Sequence, residues 1–107
     1  MSVLEEVLLE EYDRSLRVSR ALEAELAGLP RGSVRERSIG GGTYYYLQYR
    51  DGSHVRSEDV PRDEVARVRE QVERRREVVG AIKEQERSRR QIERALGRRF
   101  VLEHTGA

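Results

Sequence analysis

The hydrophobic positions of this chain change their period twice. Over Leu4, Val7, Leu8, Tyr12, Val18, Leu22, Leu26 and Leu29 they gather on one broad helical face, with Ser15 and Ser19 at its centre. From Ser33 to Val60 they alternate, as strands do. From Val65 they recur at spacings of three and four, through Val68, Val72, Arg75, Val79, Ile82, Glu86, Arg89, Glu93 and Leu96. This last seam is apolar at first and polar toward its end, and Lys83 to Gln91 contains no apolar residue. Such a segment is either a solvated helix or one that depends on a partner.

Local signals bound the elements that this pattern predicts. Ser2 can cap the first helix, with Glu5 as its capping-box partner, and Gly28 and Pro30 stop it. Gly40-Gly41-Gly42 is a turn, Thr43–Arg50 the strongest strand, and Asp51-Gly52 a hairpin signal. Pro61 sits at or just before a helix start, with Asp63 and Glu64 in the first turn. Gly97 is a plausible C-cap, and the tail after it holds an apolar cluster, Phe100-Val101-Leu102, open to docking or to disorder.

The expected fold class is therefore α+β. An antiparallel, coiled-coil-like helical hairpin carries a small three-stranded antiparallel sheet inserted between its two long helices. A single domain over 1–107 comprises a helix at 3–28, the sheet at 33–60, a long helix at 62–97 and the tail at 98–107. A core this thin predicts homodimerisation through the helices.

The hairpin loop decides which strand side chains share a face, because a slip of one residue inverts the strand. An Asp51-Gly52 loop would place Val55 opposite Gln48. A three-residue loop, Asp51-Gly52-Ser53, places it opposite Tyr49. The second is preferred here, since it collects Tyr45, Leu47, Tyr49 and Val55 on one apolar face. The other face then carries Tyr44, Tyr46, Gln48, Arg50, His54 and Arg56, joined by Arg35 and Arg37.

Charge reinforces interest in that second face. The net charge is only +1, but residues 1–30 sum to −4, 31–56 to +3 and 57–107 to +2. The basic middle coincides with four of the five tyrosines. Twenty of the twenty-one basic residues are arginine, which suits phosphate forks, although such a bias more often reflects genomic base composition.

Other chemistry finds little footing. Without cysteine the chain has no disulfide, thiolate nucleophile or Cys-based zinc site. His54 and His104 are not paired at metal spacing, no triad is supported, and the glycine run lacks both a following helix and a Gly-Lys-Ser/Thr ending. No enzyme and no cofactor are expected. Glu5, Glu6, Glu10 and Glu11 interrupt the only apolar candidate for a leader, and no stretch approaches the ~20 apolar residues of a membrane span. A soluble cytoplasmic protein without membrane attachment is the expectation.

Leu29-Pro-Arg-Gly-Ser-Val, Tyr44-Tyr-Tyr-Leu-Gln-Tyr-Arg-Asp-Gly52 and Val60-Pro-Arg-Asp-Glu64 resemble a family of short uncharacterised prokaryotic proteins, with a sheet between two helices and genes commonly near mobile elements. That family carries no established activity. Thr43–Arg56 and the helix after Pro61 are also similar to the arm-binding domain of tyrosine recombinases, a three-stranded sheet followed by a helix. The leading helix and the long charged second helix depart from it. The likeness suggests DNA as a partner, and the chemistry of the second face, with arginines that fork onto phosphates and tyrosines that stack on bases, makes Arg35, Arg37, Tyr44, Tyr46, Arg50, His54 and Arg56 the candidate contacts. The alternative is a module that binds a protein partner or oligomerises through its helices.

Overall fold

A computed structural model describes residues 2–106. Its elements are α1 (Val3–Ala27), β1 (Ser33–Ile39), β2 (Gly42–Asp51), β3 (His54–Val60), a 3-10 turn (Arg62–Glu64), α2 (Val65–Leu96) and α3 (Arg98–His104). This is the expected α+β order of helix, three-stranded antiparallel sheet and long helix. The chain divides into two compact units: Gly28–Glu77, and the residues up to Ala27 with those from Val78 on.

In the first unit the sheet has the order β1-β2-β3, with both pairs antiparallel. Gly40 and Gly41, both at positive φ, make the β1–β2 turn, the demand of a two-residue type I′ loop. The β2–β3 loop differs from both expected registers. Asp51 pairs with His54, so the loop is Gly52-Ser53 and Val55 lies opposite Arg50. Gly52 alone has positive φ there, as a type II′ turn requires, and Asp51 is thereby left as the last strand residue.

One sheet face buries Leu47 and Val60 against Val65 and Val72 from the start of α2, with Val34, Tyr45, Tyr49 and Val68 around them. The helix enters through the 3-10 turn after Pro61, where Glu64 N–H donates to the Pro61 carbonyl at 2.9 Å. Arg75 Nη1 donates to the Leu29 carbonyl at 3.1 Å, which ties α2 to the segment that leads into β1.

In the second unit Ser2 Oγ accepts from Glu5 N–H at 3.1 Å and donates to the Glu5 carboxylate, capping α1 as its sequence predicts. Leu9, Tyr12, Ile92 and Val101 form the core, flanked by Leu8, Leu16, Leu96 and Phe100. Leu4 and Val7 belong to the expected stripe but remain 67 % and 52 % exposed. Leu9 and Leu16 take their place, because the stripe's polar centre rather than its apolar edge meets α2.

That polar centre explains the segment without apolar residues. Ser15 Oγ donates to Gln85 Oε1 at 2.7 Å, and Arg89 Nη1 donates to the Ser15 carbonyl, Ser15 Oγ and Ser19 Oγ at 3.2, 3.0 and 2.7 Å. Tyr12 OH donates to Glu93 at 2.9 Å. These pairings run antiparallel along the two helices. Ser15 and Ser19 are buried, so small hydroxyl side chains admit a guanidinium where a leucine could not. The seam positions Arg75, Arg89 and Glu93 thus bind α1 or its flank through hydrogen bonds instead of through apolar packing.

Gly97, at φ +91°, breaks the chain between α2 and α3. The tail is helical over Arg98–His104, with Val101 fully buried. The end of the expected 98–107 tail, Ala107, lies outside the described residues, as does Met1 of the expected domain. None of the described helices is long and apolar enough to cross a membrane.

Tyr12 gives this packing a pH signature. Burial, and then its hydrogen bond to Glu93, raise its pKa above the ordinary 10.0. The fold therefore favours the neutral phenol. The associated stability is complete below about pH 10 and is lost as pH rises through the folded value. Urea midpoints followed from about pH 8 to about pH 11 are expected to fall for the native chain and to fall less steeply for Tyr12→Phe. Equal slopes would remove Tyr12 as the source.

Candidate nucleic-acid interface

Strand alternation and the observed register assign every side chain of the sheet to a face. Arg35 pairs with Tyr46, Arg37 with Tyr44, and Arg50 with Val55. These six residues share the face opposite the Leu47 core, together with Ser33, Ile39, Gln48, Ser57 and Asp59. His54 and Arg56 do not join them. His54 pairs with Asp51 and Arg56 with Tyr49, on the Leu47 side. The expected seven-residue cluster is thus five residues on one face and two on the other, a direct result of the Gly52-Ser53 loop.

The same register sorts the acids. Glu36 pairs with Tyr45 and Glu58 with Leu47, so both leave the outer face, as does Asp51. Asp59, opposite Tyr46, is the one carboxylate that stays among three arginines. Ile39, Tyr44 and Val55 are each more than half exposed there. Ile39 follows from the Arg35 and Arg37 alternation, whereas Val55 and Asp59 could be placed only once the loop was known.

The outer face is open and its polar groups are uncommitted. Among the described residues the side chains of Arg35, Arg50, Tyr44 and Tyr46 make no hydrogen bond or ion pair. Arg37 lies over the Tyr46 ring at 5.5 Å, which fixes a guanidinium beside an aromatic face. A cleft of about 440 Å³ runs along Arg37, Ile39, Tyr44, Tyr46, Ser57 and Asp59.

The opposite side of the sheet is different. Its cleft of about 410 Å³ has polar groups that already serve one another: Tyr49 OH donates to Glu58 at 2.8 Å, and Arg31 lies 5.6 Å from the Tyr49 ring centroid. The Glu58 bond is the leading cause of a raised Tyr49 pKa, because the carboxylate favours the protonated phenol.

Seven helical arginines contrast with Arg35 and Arg50 of the sheet. Arg14, Arg67, Arg74, Arg76, Arg87, Arg90 and Arg99 all pair with glutamates three or four residues away. These pairs are solvated and neutralise their own surface. Among the described residues no three His, Asp or Glu side chains converge as a metal site would need.

Fold and site together define an α+β protein whose small sheet shows a basic, aromatic face. The chain belongs to the family described as Domain of unknown function (DUF6788), which matches residues 9–70. That match takes in most of α1, the whole sheet and the entry to α2. No curated protein and no solved structure matches the chain.

Proposed function

We propose that this chain is a small non-enzymatic accessory protein that binds nucleic acid through the outer face of its sheet, in the cytoplasm. The observation that carries the reading is the register, which gathers Arg35, Arg37, Arg50, Tyr44 and Tyr46 on one open face, where Arg37 rests on the Tyr46 ring, and turns Glu36, Asp51 and Glu58 away. Guanidinium groups can fork onto phosphates, and tyrosines can stack on bases or hydrogen-bond phosphates. Asp59 beside Tyr46 could accept from a base amino group. The likeness of Thr43–Arg56 to the recombinase arm-binding sheet, and of the Tyr-rich hairpin to proteins encoded near mobile elements, favours DNA in that setting.

Anisotropy of labelled duplex and single-stranded DNA, at ~50 and ~200 mM salt, tests this. Three phosphate contacts imply about a 40-fold loss of affinity across that range on duplex DNA. The combined Arg35→Ala, Arg37→Ala and Arg50→Ala chain is expected to lose that part of the salt dependence, while His54→Ala keeps it. Absence of binding at low salt, or an unchanged slope in the triple variant, would sink the proposal.

A second reading, a protein-interaction module, is favoured by Val3, Leu4 and Val7, which expose apolar surface on the first turns of α1. Partner binding that survives the arginine changes and fails on Leu4→Glu with Val7→Glu would select it.

A further inference from the structure

Three strands have two edges, and the two edges of this sheet differ in what they can pair with. β1 and β3 each leave one row of backbone groups open. His54 to Asp59 are all exposed, and β3 contains neither proline nor lysine. Its pairing to β2 is unbroken by any bulge. The usual devices that blunt an edge are missing, apart from side-chain charge.

That charge is arranged for self-recognition. A twofold axis normal to the sheet at Ser57 sets all seven residues of β3 against a second β3. Arg56 then lies opposite the partner's Glu58, and Glu58 opposite the partner's Arg56. His54 meets the partner's Val60, and Val55 the partner's Asp59. Centring the pairing one residue either way would oppose Arg56 to itself or Glu58 to itself. In the single chain Arg56 has only a solvated contact to Asp51, at 3.5 Å, and Glu58 accepts from Tyr49. Both retain capacity for a second partner.

β1 lacks this property. Its Arg35-Glu36-Arg37 run, centred on Glu36, would oppose glutamate to glutamate and Arg35 to the partner's Arg37. Centring on either arginine opposes it to itself. Directly opposed like charges destabilise a strand pair.

We propose that β3 is a homodimer interface, pairing with β3 of a second copy of this chain about Ser57 to form a continuous six-stranded antiparallel sheet. The axis keeps the outer face outward, so the two Arg/Tyr faces lie side by side on one surface. Formation of the dimer requires no nucleic acid, and it places the interface at the sheet edge instead of on the helices. α2 has already used its apolar positions Val65, Val72 and Val78 within the chain. Seven residue pairs make a small interface, in the range below about 1,200 Å² typical of transient association.

Sedimentation velocity on the full chain without nucleic acid tests this over about a hundredfold range of concentration that extends to the high micromolar. The expected result is a concentration-dependent monomer–dimer equilibrium. Arg56→Glu alone, or Glu58→Arg alone, is expected to weaken it about tenfold or more, because two symmetric attractions become repulsions. The double exchange is expected to restore it. Ser57→Arg, which sets like charges on the axis and leaves both ion pairs alone, is expected to abolish it. A monomer throughout the range, a dimer indifferent to Arg56→Glu and Ser57→Arg, or a double exchange that does not rescue would overturn the proposal.

Discussion

Replacing Gly32 by alanine is expected to destabilise the sheet unit by about 3 kcal/mol, through a strained backbone and an overlap that cannot relax cheaply. Gly32 has φ +113°, and a Cβ there would run into the Gln48 carbonyl oxygen and lie 2.9 Å from Tyr49 Cβ. Both obstacles belong to β2, the central strand, which pairs on both sides and cannot shift without disturbing β1 or β3. With an m-value of about 1.5 kcal/mol/M, the urea midpoint should fall by about 2 M. Gly80→Ala provides the contrast. Gly80 sits within α2 with open space around its Cα, so alanine there is expected to stabilise by about 0.8 kcal/mol through helix propensity. If both variants move the midpoint by similar small amounts, the close approach of Gly32 to β2 is wrong.

Val101→Asp is expected to cost about 4 kcal/mol, since a carboxylate would enter the apolar cluster of Leu9, Tyr12 and Ile92, where the Tyr12 hydroxyl is already donated to Glu93. Its neighbour Leu102 is 40 % exposed, and Leu102→Asp should change stability by no more than about 0.5 kcal/mol. The pair of urea titrations distinguishes a docked terminal helix from a loose tail. A docked α3 makes adjacent residues differ sharply, whereas a tail without fixed packing would leave both changes nearly silent. A small effect at Val101 would therefore remove α3 from the core.

Much of the fold was legible in the chain because local physics determines it. Ser2 with Glu5, Gly28 with Pro30, and Pro61 with Asp63 and Glu64 mark helix ends through groups a few residues apart. The triple glycine and the Tyr-rich alternation mark strands and a turn in the same way. Five members of the candidate site, Arg35, Arg37, Tyr44, Tyr46 and Arg50, follow from alternation within single strands, which needs no knowledge of the partner strand beyond the β1–β2 turn. His54 and Arg56 required the β2–β3 loop. Asp-Gly and Gly-Ser are both good two-residue loops, and apolar clustering favoured a third choice that the backbone did not adopt. Placing Val55 outside goes against its hydrophobicity, and the positive φ of Gly52 together with a fully paired Asp51 outweighs one solvent-exposed valine.

By itself the sequence determined the order of helix, three-stranded sheet and long helix and the location of the basic aromatic hairpin, because these depend on period, caps and turn residues. Only the tertiary structure decided that Lys83–Gln91 is held by Arg89 and Gln85 against Ser15 and Ser19, that the tail buries Val101, and that Glu58 turns away from the arginines. The reason is common to all three. Each depends on which residues, distant along the chain, come to lie opposite one another, and spacing along one element carries no information about the register of its partner.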